Sequence, residues 1–298
     1  ISLGQGVVSY GPPPAAIAHI SQFLADPDNH KYKAVHGIAP LVDAIAQKLD
    51  ADNQIKIDEN RAIVVTAGSN MAFINAVLAI TSPGDEIILL APYYFNHEMA
   101  IAMAGCRPIL VPTDDNYQIR LDAIKQAITD KTRAIVTISP NNPTGVVYSK
   151  QALQAVNQLC GDRNLYHISD EAYEYFTYNG VQHFSPGSIS EGCDRTISIY
   201  SLSKAYGFAS WRIGYMVIPQ HLFISINKIQ DTIVICPPVI SQYAAIGALK
   251  AGIQYCHQHL QTITQVREKF LRELNRIPDL CTVPPADGAF YFLLKVHT

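Results

Sequence analysis

Lys204 follows the apolar run TISIYS, and Arg212 lies eight positions further on, in a stretch (SLSKAYGFASWRIG) that holds no other charge. A lysine at the end of a buried strand, half-desolvated and near a second cation, has a lowered pKa. Its neutral amine can attack a carbonyl carbon and form a Schiff base. An isolated lysine is more often a solvated surface group, so the other strand ends have to be read before this chemistry is assigned.

They supply matching groups. After AIVVT comes Gly68 with Ser69 and Asn70, a strand-to-helix turn whose free N–H groups and helix dipole favour an anion such as phosphate. After EIILL come Tyr93 and Tyr94, flat rings where core burial does not demand two phenols. After AIVTIS comes PNNPTG, in which two prolines and a glycine fix a loop presenting the amides of Asn141 and Asn142. After LYHIS come Asp170 and Glu171, then Tyr173; a carboxylate there, partly buried, needs a cationic partner. Ser201 and Ser203 flank the lysine run. Each feature alone is also compatible with an ordinary turn or with core burial. Together they form an anion cradle, a stacking ring, amides, a carboxylate, an amine and a guanidinium. That is the set needed to hold pyridoxal 5′-phosphate.

The elements that must position these groups alternate along the chain. AIVVT (62–66), EIILL (86–90), PILVP (108–112), AIVTIS (134–139), LYHIS (165–169), TISIY (196–200) and GYMVI (214–218) read as buried strands. Helical periodicity fills 69–81, 93–104, 120–129 and 149–160, the last with Ser149 as N-cap. The pattern predicts an α/β fold: a three-layer α/β/α large domain on a mostly parallel seven-stranded sheet, with a smaller α+β domain, incomplete here. From Pro237 a long helix, or two in series, leaves the sheet, and GAFYFLL reads as a strand opening the smaller domain. The expected division is residues 1–30 as an N-terminal segment near the small domain, 31–240 as the large domain, and 241–298 as linking helix and start of the small domain. In open α/β sheets ligands bind beyond the carboxyl ends of the strands, where every group named above falls.

Composition narrows the classes. With 298 residues, 48% hydrophobic, 16% charged and a net charge of −3, the chain can bury a large core and shows no basic run for nucleic acid. No apolar stretch approaches the ~20 residues of a membrane span. Six scattered cysteines, at 106, 160, 193, 236, 256 and 281, form no C-x-x-C pair, which favours reduced thiols in a cytoplasm. The dispersed histidines, His257 and His259 included, suggest structural or surface roles and no metal. TAGSNMAF has one glycine, so a nicotinamide-binding G-x-G-x-x-G turn is excluded. No signal-peptide pattern opens the chain at Ile1, and both ends are expected to be cut from a longer protein.

Along essentially its whole length the chain resembles the fold-type I, pyridoxal-phosphate-dependent class I/II aminotransferases. The likeness rests on ISLGQG, TAGSNMAF, GDEIILLAPYY, SPNNPTGVVY, SDEAYE, SLSKAYGFASWRIGY and DGAFYF. The resemblance implies that Lys204 carries the internal aldimine and shuttles the Cα proton, and that Asp170 pairs with the pyridine nitrogen. It implies that Asn142 and Tyr173 hydrogen-bond the phenolic oxygen, that Tyr94 stacks on the ring, and that Gly6 and Asn142 lie near the substrate carboxylate. Ser69, Asn70, Ser201, Ser203 and Arg212 would hold the phosphate, with Tyr32 reaching the neighbouring site of a homodimer. Two departures stand out. VVSY follows Gly6 where relatives show an acidic residue and a proline, and the arginine that relatives use for the substrate carboxylate falls beyond the end. Arg267, Arg272 and Arg276 read as solvated-face residues of the long helix.

The favoured expectation is ping-pong transamination between an amino acid and a 2-oxo acid, with aspartate, aromatic amino acids, glutamine, methionine and kynurenine all open as donors. A carbon–sulfur β-lyase of the same fold, and an aminotransferase-like sensor domain of a transcription regulator, are the alternatives.

Overall fold

The computed structural model describes residues 4–190 and 193–297, so the ISL of ISLGQG lies outside the described residues. All seven expected strands form: β1 (Arg61–Thr66), β2 (Glu86–Ala91), β3 (Arg107–Pro112), β4 (Thr132–Ile138), β5 (Tyr166–Asp170), β6 (Thr196–Ser201) and β7 (Gly214–Pro219). They make one seven-stranded sheet in the order β1-β7-β6-β5-β4-β2-β3. Strands β2 to β6 are parallel to their neighbours within that set, and β7 runs antiparallel to both β1 and β6. The link from β6 to β7 contains only α7 (Leu202–Ala205), one helical turn. It is too short to carry the chain across a face of the sheet, so β7 returns antiparallel.

Strands β6 and β7 are buried along their whole length, as near-continuous Val/Ile runs covered on both faces must be. β3 departs from the expected buried strand. It lies at the edge, bracketed by Pro108 and Pro112, with Leu110 47% exposed. Proline cannot donate to a ladder, and the edge is where it is tolerated.

The helices are α1 (Pro14–Ala25), α2 (Ala39–Asn53), α3 (Ser69–Ile80), α4 (Phe95–Met103), α5 (Leu121–Ala127), α6 (Lys150–Asp162), α8 (Phe223–Val234) and α9 (Val239–Leu274). Strand alternation sorts the core into layers. Val64, Ile199 and Met216 join α3 and α4 on one face. Val65, Tyr200 and Tyr215 meet α2 and α9 on the other, where Ile88 and Ile135 also pack on α6. Ser149 caps α6 as expected, its Oγ accepting from the Ala152 N–H at 3.2 Å.

The segment from Pro237 resolves into two helices in series: α9 breaks at Gly252, whose φ of 67° lies in the left-handed region. α1 runs along its first half so closely that a Cβ on Gly247 would stand 2.2 Å from the Ala15 carbonyl oxygen. GAFYFLL is not the strand expected of it. Ala289 takes a φ of 53°, which breaks the extended run, and only the short pair β8 (Cys281–Thr282) with β9 (Lys295–Val296) forms nearby. The segment is instead tied down by one antiparallel bridge between Gly288 and Thr177, with Ala289 N–H to Phe176 O and Tyr178 N–H to Asp287 O both at 2.9 Å, and by Gly288 N–H to Gly145 O at 2.7 Å. It lies as a strap across the ends of the sheet strands.

Candidate active site

A cavity of about 1070 Å³ opens at the carboxyl ends of β4, β5 and β6 and the start of α3. Every sequence-predicted site residue lines it except Tyr32, which is 78% exposed elsewhere on the surface.

Lys204 stands in α7, a single turn started by Ser201, whose Oγ accepts from the Ser203 N–H at 3.2 Å. The amine donates to the Gly6 carbonyl at 2.5 Å, and the Tyr10 hydroxyl donates to the Lys204 carbonyl at 2.8 Å. The N-terminal segment thus holds both ends of the residue. Burial lowers the Lys204 pKa first, the Arg212 charge lowers it further, and Asp170 opposes them.

Asp170 ends β5 and is buried. Oδ1 accepts from the Ala172 N–H at 3.1 Å, and Oδ2 lies 3.1 Å from Nε2 of His97. His97 sits in the first turn of α4, buried, stacked 3.9 Å from the Phe73 ring. The sequence reading missed it, having counted the histidines as dispersed. The signal was available: α4 starts at the same sheet edge, so its first turn faces the same cavity. Glu171, expected to share the ligand edge, points to the other side of the sheet and bonds to Ser185 and His183. Strand alternation sends neighbouring side chains to opposite faces.

The two loop amides also separate. Asn141 is turned inward, its Oδ1 accepting from the Thr144 N–H at 3.1 Å and hydroxyl at 2.7 Å, so it shapes the loop. Asn142 alone faces the cavity.

At the anion cradle, Gly68 has a φ of 85° and precedes Ser69, the first residue of α3. A Cβ on Gly68 would meet Nη2 of Arg212 at 2.3 Å. The guanidinium is fixed there by bonds to the Ala209 carbonyl at 2.8 Å and the Ala67 carbonyl at 3.3 Å. A fixed cation therefore lies beside the free N–H groups of a helix start, an arrangement suited to a phosphate. Tyr94 presents its ring to the cavity, edge-on to His97 at 5.3 Å, and its hydroxyl accepts from Asn96 at 2.6 Å.

Two more cavity residues come from the far end of the chain. Tyr173 and Tyr291 touch through their hydroxyls at 2.5 Å, and a Cβ on Gly6 would collide with the Tyr291 hydroxyl. Burial holds both phenols above their ordinary pKa. Arg267 corrects the solvated-face reading. Its side chain is only 10% exposed; it donates to Ala286 O at 2.8 Å and Asp287 Oδ1 at 3.0 Å and lies 4.8 Å over the Tyr178 ring. Long helices leave one face to be covered by whatever returns later in the chain, and here the strap covers it.

A buried carboxylate, an amine of lowered basicity, an amide, an aromatic face and a cation beside a helix start fit pyridoxal 5′-phosphate, whose aldehyde, ring nitrogen, phenolic oxygen and phosphate need these groups. Comparison with known proteins agrees. The model of the family "Aminotransferase class I and II" matches residues 1–297. A probable aspartate/prephenate aminotransferase of Aquifex aeolicus is 35% identical over 88% of this chain and 67% of its own length. An aromatic aminotransferase of Arabidopsis thaliana is 31% identical over 99% of this chain and 75% of its own. Among solved structures, a double mutant of Thermus thermophilus aspartate aminotransferase superposes with a TM-score of 0.92 at 30% identity, covering 98% of this chain and 76% of that one. The aromatic aminotransferase of Pyrococcus horikoshii gives 0.92 at 31%, covering 98% and 78%.

The chain belongs to the class I and II aminotransferases, the fold-type I enzymes that use pyridoxal phosphate. It is a transaminase of that family.

Proposed function

We propose that amino-group transfer in this enzyme runs through Lys204, between an L-amino acid and a 2-oxo acid, in two half-reactions at one site. The observation that carries the reading is that Lys204, its basicity lowered by burial and Arg212, lines one cavity with the His97-braced carboxylate of Asp170.

When bound, the cofactor supplies an aldehyde for the lysine and an electron-poor ring that accepts the charge left at Cα. Asp170, oriented by the Ala172 N–H and His97, keeps the ring nitrogen protonated. Lys204 would be the base that takes the Cα proton, and burial beside Arg212, which lowers its pKa, favours the neutral amine that this task needs. Gly6 O accepts a hydrogen bond from its amine. Asn142 and Tyr173 serve the phenolic oxygen, Tyr94 covers the ring, and Ser69, Asn70, Ser201, Ser203 and Arg212 hold the phosphate. Gly6 and Asn142 border the substrate carboxylate.

Aspartate or an aromatic amino acid is the donor we favour. Relatives carry both names, and Phe95, Phe270, Phe290 and Phe292 give the cavity an aromatic lining. Exposed Tyr32 supports a homodimer in which it reaches the partner's site. The free thiols Cys106, Cys160, Cys236, Cys256 and Cys281 support a reducing cytoplasm. No described helix is long and apolar enough to cross a membrane. The break of α9 at Gly252 favours a division later than residue 240, since the half of the helix before it packs in the core of the sheet domain. The transferase names of the relatives favour transfer over carbon–sulfur elimination or a regulatory sensor role.

Borohydride reduction of the loaded protein followed by peptide mapping should place the cofactor on the peptide holding Lys204, and Lys204→Ala should abolish turnover. Attachment at another lysine would overturn the assignment. A panel of amino donors with 2-oxoglutarate should show oxo-acid-dependent transfer; pyruvate and ammonia from cystathionine without an oxo acid would favour the lyase.

A further inference from the structure

The strap reaches into the site with one polar group, the Tyr291 hydroxyl. It is held from three directions. Arg267 on α9 grips Asp287 at 3.0 Å, the Gly288 N–H binds Gly145 O of the NNPTG loop at 2.7 Å, and the Tyr178 N–H binds Asp287 O at 2.9 Å. Gly6, having no side chain, lets the Tyr291 hydroxyl lie against it, in space that a Cβ would take. The Tyr291 ring stands edge-on to Tyr173 at 5.4 Å and 80°, and their hydroxyls meet at 2.5 Å.

We propose that Tyr291 is a positioning residue that acts through Tyr173, its hydroxyl donating to the Tyr173 oxygen and so committing the Tyr173 proton to the ligand side. The inference rests on the reading above that Tyr173 serves the cofactor's phenolic oxygen. A phenol has one proton and two acceptor lone pairs. If Tyr173 gave its proton to Tyr291, it would turn lone pairs toward an oxygen that carries negative charge. With Tyr291 as donor, the order becomes Tyr291 to Tyr173 to ligand. A hydroxyl that accepts one hydrogen bond is polarised into a better donor for the next. Stabilising negative charge on the phenolic oxygen makes the bound chromophore lose its proton at lower pH. Tyr291 thereby tunes the cofactor through Tyr173.

The test is a pH titration of visible absorbance on four holoenzymes: wild type, Tyr173→Phe, Tyr291→Phe and the double variant, each checked for equal cofactor content and melting temperature. Tyr173→Phe should raise the midpoint by about one unit, and Tyr291→Phe by about half a unit, roughly threefold in the proton equilibrium. The double variant should match Tyr173→Phe alone, the non-additivity expected of residues acting in series. A shift with Tyr173→Phe but none with Tyr291→Phe would overturn the inference and leave the role of Tyr173 standing. A Tyr291→Phe shift that persists in full on the Tyr173→Phe background would overturn action through Tyr173. No shift with Tyr173→Phe would overturn both the inference and the assignment of Tyr173.

Discussion

Asp170 and Glu171 are adjacent in sequence and both buried, yet they serve different regions. Asp170 faces a cavity that a ligand can fill, held among the described residues by one N–H and His97. Glu171 faces a sealed layer, where its Oε2 accepts from the Ser185 hydroxyl at 2.5 Å and lies 2.9 Å from His183 Nε2. Beside it Glu174 is clamped by Lys48 and Asn53, whose amide reaches it at 2.7 Å. On the sealed side Glu174 is matched by Lys48, and Glu171 is satisfied by hydrogen bonds at Oε2, its Oε1 having no partner among the described residues. On the cavity side the protein braces a carboxylate and leaves its match to a ligand. Burial alone therefore does not distinguish a working acid from a structural one; the identity of what lies opposite does.

Substitutions should separate the two regions. Asp170→Ala is expected to lower kcat by about a thousandfold or more, with far less loss of cofactor affinity and a nearly unchanged melting temperature. Equal losses of rate and affinity would argue against the electron-sink role.

The sealed face should instead answer to acid. His167, on the same face of β5 as Glu171, bonds to Thr137 Oγ1 at 2.8 Å and to the Asn157 amide at 3.2 Å, and burial pushes its pKa down to about 3. The unfolded chain takes up that proton near pH 6.5, the folded chain only near 3. The contribution of His167 to stability is thus full above 6.5 and falls as pH drops toward 3, by on the order of 4 kcal/mol. Denaturant melts across this range should show the loss, reduced in His167→Gln.

Glu171→Ala should cost roughly 2–4 kcal/mol of stability, because Ser185 and His183 lose their buried acceptor. Its kcat per folded molecule should stay within about threefold; a fall like that of Asp170→Ala would erase the distinction drawn here. The smallest effect is expected at Ser149→Ala, about 1 kcal/mol from the lost α6 cap with no change in kinetics, measurable by urea melts.

The same contrast explains what could be read in advance. The strands were legible because their Val/Ile runs end at turn residues, and the groups at those ends followed from sheet chemistry. Helices α2 and α8 were not. α8 is FISINKIQDTIV, whose β-branched residues suit a strand as well as a helix, and contact with α3 decides between them. His97, Arg267 and Tyr291 were missed for a related reason. Each gains its meaning from a partner far away in the chain: Asp170, Asp287 and Tyr173. Strand-end chemistry alone does not tell Asp170 from Glu171; the resemblance singles out Asp170, and the structure shows the two side chains with different partners, His97 and Ser185.

The break in α9 has a remote effect. A methyl group at position 252 would touch nothing, so glycine is needed there for its backbone angles alone. Those two angles aim the rest of the rod, which carries Arg267 about 22 Å further along. A side chain at 252 would leave its own surroundings intact and swing the far arm, lifting the strap's anchor from a chamber it never touches.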